Sequence, residues 1–492
     1  MYTENAPADG AAYRMVVRSL SRRRKGASVA DITAATALPL ERVREMLPRA
    51  ADEFSGRLQV TESGEILYSF PHGFVSRYRG FGPALKRLGE KLASCLIWLG
   101  SLLFKVWIMV MLIGYFALFV ALALASLFIS VAAQSGSSGK RRGGSVHAGI
   151  NLFDLFIRLW FYSELTRPIN RDHRSGKETR PSRPLHRAIF SFVFGDADPN
   201  REWPATEKKA VIACIQARQG VISLPEFMAV TGKTSAEAEE AILSFCAKFG
   251  GSPEATEEGT IVYRFDALLL RTDHEDRSFG SFSAPLQRLG RFSENPKTMN
   301  IWFGLINTVN ILFGSYFLYN AFNAGAIHST EQLQTVSFLY GFTYALFSHF
   351  AAAPLVPIAI GLGLVPLVFS VLFWLIPGLR FFSMKKENER IKMMNLRRIG
   401  FGRIWSEPMA VQSGNIGNQA DECRPKNTSA AGEQVIKEMA AYSIPEVDAD
   451  AQGNTVYSFK ELVREKEALE QYRGTIAGSK PAIGQIVFDS GE

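Results

Sequence analysis

Cysteine is scarce in this chain, and its few cysteines lie far apart. The four residues Cys95, Cys214, Cys246 and Cys423 form no CxxC pair and no spacing typical of a metal site. Cys214 and Cys246 fall on apolar faces of predicted helices, where a buried structural thiol is the usual role. These features argue against a cysteine-ligated metal centre and indicate soluble parts in a reducing compartment.

Motifs typical of enzymes are missing as well. The sequence contains no Ser/His/Asp set, no paired carboxylates, no Walker loop and no dinucleotide-binding fingerprint. Gly361 and Gly363 lie inside an apolar stretch, where glycines indicate helix packing rather than a phosphate-binding loop. We therefore predict a protein that is not an enzyme and that binds no organic cofactor.

Charged residues are almost absent from two long blocks. The first block is residues 94–133, and the second consists of the stretches 301–322 and 354–376. Lys105 is the one charged residue between positions 94 and 133, and residues 301–322 and 354–376 carry none. A helix needs about 20 apolar residues to cross the hydrocarbon core of a bilayer. The sequence therefore predicts a multi-pass membrane protein. The polar and acidic amino terminus predicts no signal peptide.

Basic residues concentrate beside these blocks. They outnumber acidic residues five to one over residues 77–91, eleven to four over 138–190 and eight to two over 380–403. Lys and Arg accumulate on the cytoplasmic flanks of spanning helices. We therefore predict a bacterial inner (cytoplasmic) membrane, an even number of crossings in each block, and soluble units that all face the cytoplasm. The polar stretch 323–335 should face the opposite side.

The number of crossings has two interpretations. The simplest count is four, with a tight hairpin in residues 94–133 and a second pair of spans at 301–322 and 354–376. Alternatively, residues 82–104 form an interfacial helix before a single span at 107–132, because Lys105 can extend its ammonium group to the interface.

Two further apolar stretches adjoin these blocks. Residues 152–161 are aromatic and set among arginines, which predicts a helix in the headgroup region against anionic lipids, or alternatively a core helix under a soluble unit. Residues 336–353 could form an extra or re-entrant segment. His349 in that stretch is a functional candidate at membrane depth, although a hydrogen-bonded structural histidine is the alternative because no carboxylate accompanies it.

One motif occurs three times: a glycine, a run with alternating apolar residues, then Tyr-x-Phe. Its residues are Gly64, Tyr68 and Phe70, then Gly259, Tyr263 and Phe265, then Gly453, Tyr457 and Phe459. The glycines are 195 and 194 positions apart, and a constant period indicates a repeated structural unit. Each copy predicts a short strand that is entered through a turn at its glycine.

Helical patterns precede each of these strands. They are found at residues 11–24, 28–38 and 40–54, then at 207–218, 224–230 and 235–249, and finally at 428–442 alone. Residues 415–427 are too polar to predict a clean helix in the third copy. Helices followed by a hairpin resemble a winged helix-turn-helix. The predicted fold class is thus an α-helical membrane protein with three α+β winged-helix-like cytosolic units arranged as an internal repeat.

These patterns set the predicted domain boundaries. The winged-helix-like units are residues 1–75, 191–270 and, in degenerate form, 406–475. The intervening regions are 76–135 (juxtamembrane segment and first block), 136–190 (basic interfacial segment), 271–379 (loop and second block), 380–405 (basic juxtamembrane helix) and 476–492 (tail).

An acidic loop offers the strongest candidate for a metal site. Asp196, Asp198, Asn200 and Glu207 occupy positions 1, 3, 5 and 12 of an EF-hand-like calcium loop, and such oxygen ligands suit Ca²⁺. The usual glycine at position 6 is replaced by Arg201. An Asx/Pro turn between two helices is the alternative interpretation.

The charge of each unit separates two kinds of partner. Basic residues outnumber acidic ones ten to seven over residues 11–70, but acidic residues outnumber basic ones nine to six over 205–266 and eight to four over 406–460. DNA binding requires a basic footprint, so the second and third units are predicted to contact protein. The first unit could contact DNA or lipid headgroups through Arg22, Arg23, Arg24 and Lys25.

Residues 190–200 read Phe-Ser-Phe-Val-Phe-Gly-Asp-Ala-Asp-Pro-Asn, and residues 483–488 read Ile-Gly-Gln-Ile-Val-Phe. With the tripled Tyr-x-Phe motif, they resemble an uncharacterised family of bacterial, cyanobacterial and plastid integral membrane proteins, which supplies no established activity. We expect cytosolic winged-helix units that serve as interaction or scaffold modules for a protein partner, a second copy or each other. The alternatives are a membrane-tethered DNA-binding regulator acting through the first unit, and a transporter or channel component.

Overall fold

The structure is a computed structural model that describes residues 9–23, 26–71, 73–74, 77, 81–134, 183–272, 284–325, 338–418, 428–451, 453–477 and 483–490. The chain falls into two units. The sheet-bearing unit is assembled from a first segment (Met1–Lys86), a second segment (Asp198–Gly290) and a third segment (Glu387–Glu492). The helix bundle contains Arg87–Ala197 and Arg291–Lys386.

Helices dominate the described chain. In chain order they are α1 (Asp9–Leu20), α2 (Val29–Thr36), α3 (Leu40–Glu53), α4 (Phe81–Met109), α5 (Tyr115–Gln134), α6 (Leu185–Phe194), α7 (Trp203–Ala217), α8 (Leu224–Thr231), α9 (Ser235–Phe249), α10 (Lys297–Gly325), α11 (Phe338–Ser348), α12 (Val365–Ser406), α13 (Ser413–Asn418), α14 (Thr428–Ala440) and α15 (Lys460–Ala477). The strands are β1 (Arg57–Thr61), β2 (Ile66–Ser69), β3 (Val221–Ser223), β4 (Ser252–Ala255), β5 (Ile261–Arg264), β6 (Glu446–Ala449), β7 (Thr455–Ser458) and β8 (Ile486–Asp489).

Local sequence signals account for the helices of the first two segments. Capping boxes start α2 at Ser28, α8 at Ser223 and α9 at Thr234, because each cap side chain and the acidic residue three positions later satisfy free backbone N–H groups. Gly232 and Gly250 end α8 and α9 in the left-handed conformation that glycine adopts without strain.

The third segment has more regular structure than the sequence predicted. A short helix, α13, forms at Ser413–Asn418, where no clean helix was expected. The preceding helix is the carboxyl-terminal part of α12, which continues without interruption from the bundle to Ser406. Gly400 of α12 lies directly against Val435 of α14 and Ile416 of α13. The end of the predicted juxtamembrane helix thus packs as part of the third segment.

Each segment carries one antiparallel hairpin with the same turn. The N–H of Gly64 donates to Thr61 O, that of Gly259 to Thr256 O, and that of Gly453 to Asp450 O, at 2.9, 2.9 and 3.0 Å. All three glycines have φ between +79° and +85°. A non-glycine residue would be strained there, which explains why glycine opens every copy of the motif.

The first apolar block forms one continuous helix. A π-helical turn, Val110–Gly114, joins α4 directly to α5. The described residues 94–133 therefore do not form the predicted tight hairpin, whereas the predicted number of crossings stays a prediction. Apolar length gave no indication of where such a hairpin would turn, and Gly114, near the middle of the block, lies within the helix.

Three long helices form the core of the bundle. Asn310 Nδ2 of α10 donates to Leu112 O at 2.8 Å, and Phe119 of α5 stacks on Phe317 of α10 with ring centroids 5.8 Å apart. Residues 112 and 119 of the first helix contact residues 310 and 317 of α10 in the same order, so the two helices run parallel. Gly304 lies against Trp374, which begins an antiparallel contact between α10 and α12.

That antiparallel contact continues along both helices. Gly314 approaches the backbone of Leu367, and Gly363 approaches that of Leu318. Gly363 belongs to a second π-helical turn, Ile358–Leu364, which leads into α12. Small residues allow such close approach of helix backbones.

Two short apolar helices close the bundle. Phe192 of α6 contacts Phe303 and Phe373 near the start of α10, with ring centroids 6.0 and 5.4 Å away. At the other end, the Tyr340 N–H of α11 donates to Tyr316 Oη at 3.1 Å. Given the helix directions and the position of α6, the chain enters or leaves the bundle at one end in all four places, near residues 87, 197, 291 and 386.

Three of the described helices are long and apolar enough to cross a membrane: Leu92–Val131, Lys297–Asn323 and Leu355–Ser406. Large apolar side chains on their outer faces, such as Trp98 and Trp302, are more than half exposed. At 1.5 Å per residue, Leu92–Val131 is about 60 Å long, roughly twice the thickness of a hydrocarbon core.

Candidate interaction site

The three segments contact one another through buried polar groups, and these contacts form the candidate site. Asp31 joins the first segment to the second. Its carboxylate is fully buried, pairs with Arg23 Nη1 at 3.0 Å, and accepts hydrogen bonds from Thr272 Oγ1 at 2.6 Å and Thr272 N at 3.1 Å. Arg271 Nε lies 3.5 Å from Asp31 Oδ1, the oxygen that also pairs with Arg23.

This environment favours the charged form of Asp31. Burial alone would raise the pKa of the carboxyl, but hydrogen bonds from Thr272 and Ser28 and the positive charge of Arg23 hold the pKa below its ordinary value. The same carboxylate caps α2, because the Ser28 N–H donates to Asp31 Oδ2 at 3.1 Å. One side chain therefore starts a helix and joins two segments.

Glu226 joins the second segment to the third. Its carboxylate accepts two bonds from Arg473 of α15, at 2.6 and 3.1 Å, and one from the Ser223 N–H at 3.2 Å. Arg218 forms a second ion pair with the same carboxylate. Burial lowers the pKa of Arg473 to about 10 and lowers that of Arg218. Two guanidinium groups thus share one buried carboxylate.

A cavity of about 540 Å³ lies beside this cluster, inside the sheet-bearing unit. Its lining includes Cys214, Arg218, Glu226, Arg398 and Trp405. Burial raises the pKa of the Cys214 thiol, which disfavours the reactive thiolate. The described lining therefore combines a buried thiol with ion-paired side chains.

Arg398 connects the third segment to the second beside the cavity. It is fully buried, donates to Glu207 Oε1 at 3.0 Å and to Val230 O at 3.3 Å, and lies 4.6 Å from the ring centroid of Trp203. Gly232 is required next to it, because a Cβ there would lie 2.6 Å from Met394 O. The guanidinium has a structural role with every contact inside the unit.

The last strand joins the third segment to the first. β8 pairs antiparallel with β1, with Gln59 opposite Asp489 and Val60 opposite Phe488. The Glu62 N–H donates to Gln485 O at 2.9 Å, and the side chains of Gln59 and Asp489 are hydrogen-bonded at 2.7 Å. The carboxyl-terminal motif therefore completes a three-stranded sheet on the first hairpin.

The motif tyrosines share one position in the three segments. Tyr68 pairs with Ala27, Tyr263 with Ile222 and Tyr457 with Val411, and each partner precedes a helix of its own segment. Of the motif phenylalanines, Phe265 and Phe459 are fully buried, while Phe70 packs on Phe74 with ring centroids 4.7 Å apart. The motif residues build each hairpin into its segment, a structural role.

The predicted DNA or lipid cluster is only partly described. Arg22 is exposed, Arg23 pairs with Asp31, and Arg24 and Lys25 lie outside the described residues. The helix that would enter a DNA groove, α3, contacts α9 of the second segment. DNA binding stays a prediction, and the geometry of α3 does not favour it.

The residues of the predicted calcium loop have other partners. Asp196 binds Ser191 Oγ and Arg183 Nη1, both at 2.7 Å, whereas Glu207 binds Arg398. Asp198 Oδ1 accepts from the Asn200 N–H at 2.9 Å, which is the geometry of an Asx turn. Among the residues that the structure describes, no group of three or more His, Cys, Asp or Glu could hold a metal ion. Calcium binding remains a sequence prediction.

His349 and the interfacial segment complete the set of predicted features. His349 Nδ1 lies 2.8 Å from Ala345 O at the end of α11, and the side chain is exposed. The aromatic stretch 152–161 lies outside the described residues, as do residues 326–337 and Gln452, the neighbour of the turn glycine Gly453.

Sequence reasoning missed the residues that join the segments. None of the candidate site motifs found in the sequence contains Asp31, Glu226, Arg398 or Arg473. Arg398 binds Val230, which lies 168 positions away along the chain, and Arg473 binds Glu226, which lies 247 positions away. A charged residue within an otherwise apolar helical face would have been the available signal.

Comparison with known proteins supports a distant relationship. No family model matches the chain, and no solved structure matches it. The chain is 24% identical over 402 residues to a protein of Arabidopsis thaliana described as uncharacterized and chloroplastic. The alignment covers 77% of this chain and 70% of the plant protein. The similarity therefore extends over most of both chains and points to a plastid-related group without an assigned activity.

Proposed function

We propose that this is a membrane protein whose three soluble segments are winged-helix-like interaction modules, and that each module binds the other two modules of the same chain. The observation that carries the proposal is the set of contacts made by the buried carboxylates of Asp31 and Glu226 and by strand β8. They join every pair of segments, as a scaffold assembled from modules requires.

The order of elements supports the winged-helix assignment. In the second segment, α7, β3, α8, α9, β4 and β5 follow one another, and the sheet order is β3-β5-β4. In the first and third segments, single β-bridges at Ala27 and Val411 take the place of β3. The shared turn geometry of the three hairpins supports an internal repeat of this arrangement.

The bundle supports the proposed membrane location. Its three long helices expose large apolar side chains on their outer faces, which suits contact with lipid. We place the protein in a bacterial inner membrane with anionic headgroups against its basic flanks, because Lys and Arg accumulate on the cytoplasmic side.

The helix directions support a common cytoplasmic side for the three segments. The chain meets the bundle at one end in all four places, so the argument does not need an even number of crossings in each block. Single cysteines at Ser63 and Glu257, two hairpin turns, should be protected from an impermeant thiol reagent on intact cells. Labelling of either one would contradict the proposed sidedness.

A further protein partner, or a second copy, is proposed to bind the outer surface of the sheet-bearing unit. Ile444 and Val447, beside and within the third hairpin, are large apolar side chains that are 81% and 60% exposed. We expect full-length protein purified in detergent to carry a stoichiometric partner or to be a dimer. Ile444→Ser with Val447→Ser should weaken that association, whereas Leu243→Ser on exposed α9 should not. A monomer without a partner would contradict the proposal.

A further inference from the structure

The interior of the helix bundle contains polar side chains where an apolar core is expected. Asn307 and Asn310 of α10 and Ser370 of α12 are fully buried. Asn307 and Asn310 lie near the middle of Lys297–Asn323, and Ser370 lies in the first half of Leu355–Ser406, two helices whose length and composition suit a membrane span. Buried polar groups in such helices are rare, and they commonly mark sites for ions or substrates.

The orientation of both asparagine amides follows from their hydrogen bonds. Asn307 Nδ2 donates to Ser370 O at 2.9 Å, and Asn310 Nδ2 donates to Leu112 O at 2.8 Å. An amide oxygen could not occupy either position, because it would face another carbonyl oxygen. Each Oδ1 therefore points away from these carbonyls, and neither has a hydrogen-bond partner among the described residues.

A third oxygen lies in the same region. Ser370 Oγ is buried and has no partner among the described residues. The bond from Asn307 to Ser370 O holds these two residues together, and Asn310 follows Asn307 by three positions, which places both on one helix face. Three residues with unpartnered oxygens therefore lie within about one helical turn of one another along α10.

The backbone around these residues is also irregular. Leu112, whose carbonyl oxygen binds Asn310, belongs to the π-helical turn Val110–Gly114. The second π-helical turn, Ile358–Leu364, packs against α10 through Gly363. π-Helical turns inside α-helices occur frequently at functional sites. Both of these turns adjoin the helix that carries the two asparagines.

We propose that Asn307, Asn310 and Ser370 form a binding site for a small monovalent cation. The unpartnered atoms are two amide oxygens and one hydroxyl oxygen, which are hard ligands that donate lone pairs. Residues 92–131, 297–325 and 355–379 contain no Asp or Glu. A site of neutral oxygens suits a singly charged ion better than a divalent one, which usually requires carboxylates.

The test uses full-length protein in detergent and follows thermal unfolding by tryptophan fluorescence. The protein is titrated with NaCl and with KCl, replacing N-methyl-D-glucamine chloride so that the ionic strength stays constant. The unfolding temperature should rise and saturate with at least one small cation, because an ion that binds only the folded state stabilises it. Identical curves for small and large cations would overturn the proposal and leave a structural water as the occupant.

Three variants locate the effect. Asn310→Leu should raise the half-saturating cation concentration at least about tenfold. Asn320→Ala is the matched control, since the Asn320 amide bonds only within α10, to Tyr316 O at 2.8 Å. If Asn310→Leu does not fold, Ser370→Ala keeps the test, because loss of the hydroxyl oxygen should raise the half-saturating concentration about tenfold. An unchanged concentration in either folded variant would overturn the proposal.

Discussion

At the residue scale, the carboxylate of Asp31 joins the first segment to the second. Replacing Asp31 with Asn leaves the guanidinium groups of Arg23 and Arg271 without their counter-charge. We expect the free energy of unfolding to fall by about 2–3 kcal/mol, less than for fully buried ion pairs because both arginines are partly exposed. Denaturant unfolding of the detergent-purified protein measures it.

Glu41→Gln is the matched control for Asp31. Glu41 also pairs with an arginine, Arg44, at 2.7 Å, but both side chains are more than half exposed. Surface pairs contribute little to stability, so this variant should unfold like the parent. Equal effects of the two substitutions would show that Asp31 does not join the segments.

Glu465 makes stability depend on pH near neutrality. Burial raises the pKa of this carboxyl to about 7, although hydrogen bonds from Tyr442 Oη, at 3.0 Å to each oxygen, favour the charged form. The folded state therefore binds a proton that the unfolded state releases above about pH 4.5. The contribution is full below that pH and is lost as the pH rises through about 7, by roughly 2–3 kcal/mol in all.

Unfolding midpoints between pH 4 and 8 test this dependence. Glu465→Gln should flatten the curve, because the glutamine cannot ionise. Tyr442→Phe should move the transition to higher pH, because the hydrogen bonds that favour the carboxylate are lost. Glu467→Gln, an exposed position on the same helix, is the control. A parent-like curve for Glu465→Gln would assign the dependence to another group.

Local chemistry at single residues was predictable where it depends on near neighbours. The turn glycines Gly64, Gly259 and Gly453 and the caps of α8 and α9 follow from patterns within a few positions. The second role of Asp31 was not predictable, because Thr272 lies 241 positions away. A sequence pattern records which residues alternate or cap, but not which distant groups meet.

At the scale of elements, the composition of the first apolar block fits two structures, a continuous helix and a tight hairpin. Spin labels at Cys95 and at Val131→Cys, with the other cysteines replaced, should be about 54 Å apart if the helix is continuous, at 1.5 Å per residue. A tight hairpin would place the labelled helix ends on neighbouring helices about 10 Å apart. Pulsed electron spin resonance measures this distance, and a short value would restore the hairpin.

The last strand, β8, should protect those amides of the first hairpin that face it, and Glu62 and Thr61 distinguish the two sides of β1. The Glu62 N–H donates to Gln485 O, whereas the Thr61 N–H donates to Glu65 O within the hairpin. Ending the chain after Ala477 should speed hydrogen exchange at Glu62 and leave Thr61 protected. Amide exchange resolved by NMR or fragmentation mass spectrometry measures both. Unchanged exchange at Glu62 would show that β8 does not pair there.

Elements were predictable to different degrees for a physical reason. Helices of the second segment match their predicted ranges closely because caps and amphipathic periodicity are local. Apolar length, by contrast, cannot specify where a long apolar stretch turns. The third segment was under-predicted because its polar composition gave no sign of α13, and because the end of α12 supplies one of its helices.

At the scale of the whole molecule, the repeat period predicted three similar segments but not their assembly into one unit. The joining contacts use Asp31, Glu226, Arg398 and β8, and none of these belongs to the repeated motif. The assembly accounts for the acidic balance of the second segment, because Glu226 and Glu207 are used to bind arginines of the third. The segments are therefore partners for one another before any external protein binds.

Cysteine cross-linking in native membranes tests this assembly most directly. The pairs Gln59→Cys with Asp489→Cys and Gln287→Cys with Asn395→Cys connect the first and second segments to the third, because both pairs are in hydrogen-bond contact. In a chain without its own cysteines, a short thiol cross-linker should join each pair within one chain, and single-cysteine variants should not react. Absence of both cross-links, or cross-links formed only between chains, would contradict the assembly of the three segments into one unit.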